Sequence, residues 1–461
     1  MKICHVAATS DGATWMFEQL RELRNRYGHE VVAVVSGSHG RLIDKLKAEN
    51  IRYHVADFAA GPAPLSEALA TPLAVFRLAR FFRRERFDVV QHHIFISMRI
   101  ARPAAWLADV PVRLSMIAGP FHLQAATSRW IEKLTYWMDT KLIPSCQATL
   151  ELCRGLGISE RYLAPVVYYS PDERNFDPAK ILPADIRGEF GWPADTPLVS
   201  MVAFFYQRLS TGPWVPDEVK GRGIKGHGDL VKAASIILQE FPKTKFLLVG
   251  SGWGEDGERY RNEVRDLVKR MNLESSVVFI EFREDANRIL RTSDVAVQPS
   301  LNENLGGSLE ALLMECPTVV TRVGGLVDSV RDGETGVLVN ASDPKDLARG
   351  IMELLRDRER ARALGKAGRR LMLDQFTLQH TVRDLNLIYQ NALADRTQRL
   401  GSYNLFVTLW RYAVGVPLFA FMAVRLFFWD GYILHKIRLR LARRERKTAN
   451  GPLSAVGPSN E

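Results

Sequence analysis

Apolar runs separated by helix-length amphipathic stretches recur along this chain, and the rhythm plays out twice. MKICHVAAT, HEVVAVVSG, IRYHVADF, FDVVQHH and VPVRLSMIAG are continuous apolar runs more than alternations, as strands covered on both faces require. Amphipathic stretches at Trp15 to Arg26 and Arg41 to Ala48 separate the first three. This βαβαβ order predicts a parallel sheet with a helix layer on each face. After a proline-dotted stretch from Pro165 to Pro197, LVSMVAFFY, TKFLLVGSG, SSVVFIEF, SDVAVQPS, PTVVTRVGG and GVLVN repeat the pattern. A chain of 461 residues exceeds one ordinary core, and two domains imply a cleft. The expected fold class is α/β: two doubly wound Rossmann-like domains facing a cleft, over 1–170 and 198–395 with a linker at 171–197. Ligands then belong at the carboxyl ends of the strands.

The remainder, 396–447, is different in kind. Its apolar segment WRYAVGVPLFAFMAVRLFFWDGYIL has only 13 uncharged residues between Arg411 and Arg425, short of the ~20 that a spanning helix needs. A helical, membrane-associated tail lying in the interface is expected, with tryptophans and arginines at headgroup level. The run Lys436 to Lys447 carries seven basic residues and one acid, so it supplies +6 of the net charge of +10. Charge concentrated there points to an anionic membrane surface and away from nucleic acid. Residues 448–461 read as disordered. MKICHVAAT lacks the long apolar core of a secretory signal, and Cys4, Cys146, Cys153 and Cys316 have no paired metal spacing. Both features predict reduced thiols and a cytoplasmic protein attached to the inner face of the cell membrane.

Chemistry concentrates in NENLGGSLEALLMECPTVVTRVGG, Asn302 to Gly325. Gly306, Gly307 and Ser308 lead into an apolar helix, whose free N–H groups and positive dipole end suit a phosphate. Glu303 before the turn and Glu310 within the helix border that anion pocket, and carboxylates accept well from vicinal hydroxyls, here a sugar on one side and a ribose on the other. The plain alternative for Glu310 is a carboxylate favouring a helix N-terminus. In GRGIKGHGDLVKA, Lys225 follows a glycine-rich stretch and precedes a helix, so its ammonium can meet a leaving diphosphate, with Arg222 or Arg208 as partner. VGSGWGEDG places Gly250 after a strand, as in nucleotide-contacting loops.

In the first half, polar residues end three strands: Asp11 and Gly12, His92 with His93, and His122. A cleft histidine can hydrogen-bond substrate or pass a proton, and Asp11 can orient an acceptor hydroxyl. The motifs GxSxG, HExxH and GxxxxGK[ST] are absent, as is an isolated DxD. Chemistry without a metal or a cofactor is expected, with only a nucleotide-linked co-substrate.

PSLNENLGGSLEALLMECPTVVTRVGGLVDSVRDGETGVLV resembles the PSxxEGFGxxxLEAxAxGxPVVAxxxGGxxExVxxGxxGxLV pattern of the GT-B glycosyltransferases, specifically the retaining family 4. GIKGHGDLVKA, LIPSCQATLELCRGLGI and VVYYSPDERNFDP add to the resemblance, which covers nearly residues 1 to 395. It implies a metal-independent retaining transferase whose second domain binds a UDP- or GDP-linked sugar and whose first takes the acceptor. Carried over, Glu303 contacts the donor sugar, Glu310 the ribose, Lys225 the diphosphate and His122 the sugar near its reacting face; Gly12 corresponds loosely to the glycines that approach the diphosphate and acceptor. Three departures stand out. Six residues separate Glu303 from Glu310 where the family has seven, so either the loop is one residue short or Asn302 holds the first role. Phe204-Phe205 replaces the family's Gly-Arg, with an insertion of about 15 residues before Lys225, and TSDGAT lacks the usual double glycine. The membrane tail suggests a lipid-linked saccharide acceptor, as in surface polysaccharide assembly. The alternatives are a nucleotide-sugar epimerase on the same fold and a non-catalytic membrane scaffold that binds nucleotide.

Overall fold

The computed structural model describes residues 1–58, 65–212, 215–399 and 413. Six parallel strands form the first sheet: β1 (Lys2–Val6), β2 (Glu30–Val35), β3 (Arg52–Val55), β4 (Val89–His93), β5 (Val112–Ile117) and β6 (Lys141–Pro144), in the order 3-2-1-4-5-6. A second parallel sheet holds β7 (Leu198–Val202), β8 (Lys245–Val249), β9 (Val277–Ile280), β10 (Val295–Gln298), β11 (Thr318–Thr321) and β12 (Val337–Val339), in the order 12-11-10-7-8-9. The apolar runs are strands because helices cover both faces: Ile3, Val31, Ala33 and Leu114 pack on one side of the first sheet, and Cys4, Val32, Val34 and Val90 on the other. The order reverses direction between β1 and β4, and between β7 and β10, so each sheet has a switch-point crevice at its carboxyl edge.

Two expectations change. Residues 171–197 are not a free tether, because Ala184 and Ile186 pack with Leu198, Leu247 and Ile289 in the second unit's core. Nor does the chain up to residue 395 stay in the second unit. The helix Leu378–Arg399 crosses back, and Leu378, Val382, Leu385, Ile388, Tyr389 and Ala392 enter the first unit's core. Their spacing of three and four gives one apolar stripe.

A buried polar chain fixes that return. Tyr389 donates to Gln91 Oε1 at 2.6 Å and lies 3.0 Å from His5 Nε2; His5 Nδ1 lies 3.1 Å from His93 Nε2, and His93 Nδ1 2.8 Å from the Tyr169 hydroxyl. Burial holds both histidines neutral, so each ring donates once and accepts once, and every member of the chain is satisfied. Beyond Arg399 the expected membrane-associated tail, with the segment 448–461, lies outside the described residues except for residue 413. No helix among the described residues is long and apolar enough to cross a membrane. All four cysteines are buried and free.

Candidate functional site

The carboxyl ends of β7 and β10 place the site. Beyond β10 the chain runs through Pro299 to Gly307 into the six-residue helix Ser308–Leu313. Beyond β7 it passes Tyr206 and the insertion to reach Lys225, just before the helix His227–Glu240. Gly226 brings the two together: its φ is +79°, and a Cβ there would stand 1.9 Å from the Pro299 carbonyl oxygen. Only glycine permits this approach.

Lys225 Nζ is paired with Glu303 Oε2, and the two side chains are only 18% and 11% exposed. Glu303 Oε2 also accepts from Ser300 Oγ at 3.1 Å and Gln298 Nε2 at 3.4 Å, while Oε1 accepts the Asn304 N–H at 3.1 Å. The Tyr206 ring lies 5.7 Å from the ammonium. Burial works against the charge on Lys225, but the facing Glu303 carboxylate prevails and its pKa is raised. The site therefore holds a fixed cation beside a fully solicited carboxylate, a pair that a phosphate on one side and sugar hydroxyls on the other can divide between them.

Glu310 sits one turn into the short helix, where burial and then the charge of Glu18 from the first unit push its carboxyl up to about 7. Gly306 (φ +55°) and Gly307 turn the loop into that helix. The Ser308 hydroxyl is 2.5 Å from the Leu305 carbonyl oxygen and 3.1 Å from Ser329 Oγ, and the residue is buried. Its side chain is spent on shaping the turn, which leaves only backbone for a ligand. Gly250 ends β8 packed against the Ala203 carbonyl. The Arg222 guanidinium pairs with Asp229 at 2.9 Å and with Ser342. Arg208 is held by Glu263 and by the Gly221 carbonyl.

From the first unit, His122 lies on the turn Phe121–Gln124 after β5, with its ring 5.3 Å from that of Phe95. Its Nε2 is buried and has no hydrogen-bond partner among the described residues. Burial, helped by the charge of Arg102, lowers its pKa to about 3. Asp11 is occupied by Arg41, with contacts of 2.8 and 3.2 Å to the guanidinium and 3.1 Å to the backbone N–H, which hold its carboxyl below the usual range. Gly12 abuts Trp253 of the second unit. His92 is a correction: it is fully buried, 3.2 Å from both Asp139 and Ser115, inside the cluster that neutralises Arg102, and does not reach the cleft.

Sequence reading did not foresee the contacts that join the units. Asn302 donates to Gln124 Oε1, and Asn304 Oδ1 lies 2.9 Å from Ser145 Oγ. Ser300, Gln298 and Tyr206 were also missed; they are common polar residues in unremarkable contexts, and only the loop geometry selects them. Among the described residues, no three histidine, cysteine or carboxylate side chains are grouped to hold a metal ion.

Two doubly wound parallel sheets facing a cleft are the architecture of the GT-B class. Residues 11–166 match the family model of the glycosyl transferase 4-like domain, and residues 222–371 that of glycosyl transferases group 1. The chain belongs to the GT-B glycosyltransferases of the family 4 type. It is 31% identical over 175 residues to N-acetyl-alpha-D-glucosaminyl L-malate synthase of Bacillus anthracis, covering 38% of this chain and 44% of that protein. The first such alignments thus span less than half of the relatives' length. A longer match, 25% over 382 residues, reaches D-inositol 3-phosphate glycosyltransferase of Corynebacterium aurimucosum and covers 77% of this chain and 85% of the relative. The fold is similar to that of sucrose-phosphate synthase from Thermosynechococcus elongatus, with a TM-score of 0.69 at 19% identity over 86% of this chain and 100% of that one. Anabaena HepE, solved with UDP and glucose, gives 0.67 at 18% identity over 85% and 100%.

Proposed function

We propose that this protein is a retaining glycosyltransferase that moves a sugar from a UDP- or GDP-linked donor to a hydroxyl of a lipid-linked saccharide, in surface polysaccharide or glycan assembly. The observation that carries this reading is the Lys225–Glu303 pair. An arriving donor offers Lys225 a diphosphate in exchange for a carboxylate, and offers the freed Glu303 the hydroxyls of the transferred sugar. Glu310, whose carboxyl feels the charge of Glu18 in the first unit, would take the ribose hydroxyls. The UDP held by a protein of similar fold is in keeping with such a donor.

In the transfer, the bond from the anomeric carbon to the diphosphate breaks as the acceptor oxygen bonds to that carbon on the same face. The acceptor proton goes to the departing phosphate oxygen, so no protein nucleophile is required. Lys225 and the backbone of the Gly306–Ser308 turn stabilise the charge that grows on the diphosphate. His122, neutral, offers its unpartnered Nε2 to a sugar hydroxyl. The tail beyond residue 399 would hold the enzyme on an anionic membrane at the cytoplasmic face, where a lipid-linked acceptor is presented.

The deciding experiment is thermal stabilisation of the detergent-purified protein by UDP, GDP and ADP, repeated with Lys225→Ala and Glu310→Ala. A shift with one nucleotide that both substitutions abolish supports the reading and names the donor class. No shift with any of the three overturns it.

A further inference from the structure

The loop that carries Glu303 is held from the opposite side of the cleft. Asn302, 7% exposed, donates from its amide to Gln124 Oε1, on the same turn as His122 and two residues beyond it. Asn304 reaches the same unit: its Oδ1 is 2.9 Å from Ser145 Oγ, which also lies 2.6 Å from the Ile117 carbonyl oxygen and accepts the Gly119 N–H at 2.9 Å. A Cβ on Gly119 would come within 3.3 Å of the Asn304 backbone nitrogen, so the two loops are in contact. Behind Glu303 the chain is backed by Gly324, where a Cβ would stand 1.8 Å from the Glu303 carbonyl oxygen. The loop is thus clamped between Gly324 of its own unit and Gln124 and Ser145 of the other.

We propose that Asn302 and Asn304 are positioning residues that set Glu303 in register with His122, so that the carboxylate reaches its working position only when the two units are closed. The inference rests on the transferase reading for its catalytic meaning, but its mechanical content does not depend on it. Asn302 is the residue that preserves the seven-residue interval to Glu310. Its amide is turned to the first unit while its neighbour Glu303 takes Lys225. Adjacent side chains thus carry the carboxylate and the interdomain contact. An amide suits the interdomain contact because it carries both a donor and acceptors, and it brings no charge that would compete with Glu303 for the lysine. Its partner Gln124 contributes an acceptor from a turn whose own geometry holds His122. Separating the units breaks Asn302–Gln124 and Asn304–Ser145 together, which frees the backbone on both sides of Glu303, whose own side-chain partners all lie in the second unit. Closure coupled to completion of a catalytic constellation is a general way to make the reaction wait for substrate.

The test uses the full-length protein with UDP and UDP-glucose as probes. Gln124→Ala, in the unit opposite the Glu303 loop, is expected to raise amide hydrogen exchange in residues 299–307 by about ten-fold, with the stabilisation by UDP retained. The exchanged pair Asn302→Gln with Gln124→Asn keeps the combined side-chain length and is expected to restore protection. Where UDP-glucose is turned over, Gln124→Ala lowers kcat by about ten-fold and leaves the donor KM within about two-fold, and the exchanged pair recovers kcat. Unchanged exchange in Gln124→Ala overturns the proposal, as does a loss that the exchanged pair fails to rescue. Absence of any UDP shift in the wild-type protein counts against UDP as the donor nucleotide, and the exchange comparison still decides whether the loop is held across the cleft.

Discussion

Lys225 and Glu303 neutralise each other at the floor of the cleft, and a diphosphate must compete with the carboxylate for the ammonium. The two substitutions therefore act with opposite signs. Lys225→Ala is expected to weaken binding of the nucleoside diphosphate by about ten- to a hundred-fold. It also strands a largely buried carboxylate at a cost of about 2 kcal/mol. Glu303→Gln removes the competitor, so it should tighten binding of the free diphosphate while lowering sugar transfer by about a hundred-fold. Calorimetric titration with UDP or GDP beside initial-rate measurements separates the two effects. Parallel weakening in both variants would show that the pair does not face the phosphate.

The fold was legible because its strands are buried on both faces and so appear as unbroken apolar runs. β6 was missed since it has only four residues and ends on Pro144, which an edge position tolerates. Lys225, Glu303 and Glu310 stood out in the sequence because glycine-rich turns before helices carry a local signal. The partner of Arg222 was not legible, because a basic residue in a loop says nothing about which acid will fold beside it, and here Asp229 does. His92 failed for a related reason. A histidine pair at the end of a strand suggests a cleft, but its partner Asp139 is 47 residues away and becomes visible only once β5 and β6 are paired. The Asn302–Gln124 contact spans 178 residues, and no local pattern announces it.

His122 stays neutral throughout the working range, since burial and the charge of Arg102 hold its pKa at about 3. An imidazole depressed below its ordinary 6.5 takes up a proton more readily unfolded than folded. Its contribution to stability is complete above about pH 6.5 and is lost as pH falls toward 3. His122→Ala should reduce turnover by about a hundred-fold and leave the shape of the rate profile between pH 5 and 8 unchanged. If the wild-type profile has a limb near pH 6.5 that the variant lacks, His122 is titrating during turnover and the neutral assignment fails.

Glu310 gives the opposite slope. Burial first, and the Glu18 charge second, raise its carboxyl from 4.5 to about 7. The folded protein therefore holds this proton more tightly than the unfolded chain does, and the associated stability is present below about pH 4.5 and lost as pH rises toward 7. Glu310→Gln is expected to stabilise the protein by about 3 kcal/mol at pH 8 and by almost nothing at pH 4. Ribose hydroxyls favour the ionised carboxylate, so nucleotide binding to the wild type should strengthen between pH 6 and 8, and this trend should vanish in the variant. Denaturant melts and titrations at the two ends of the range check both statements.

Gly12 sets how closely the units approach. With φ at +77°, it has no room for a side chain, because a Cβ would stand 2.9 Å from Trp253 Cη2. Trp253 in turn packs edge-on against Phe204 at 5.1 Å, and Phe204 stacks on Phe282, over which Arg41 lies at 4.8 Å. A residue with a Cβ at position 12 must move either its own loop or the indole, and the loop is tied to Arg41 through Asp11. Gly12→Val is therefore expected to cost about 1 kcal/mol or more locally and to hold the cleft partly open. The nucleotide contacts of the second unit would survive, so affinity for UDP or GDP should fall by less than about three-fold while turnover falls by ten-fold or more. Trp253, 37% exposed in the closed arrangement, would become more exposed, and its fluorescence should shift to the red. Equal losses of affinity and turnover, with no change in the emission of Trp253, would mean that this contact plays no part in closing the cleft.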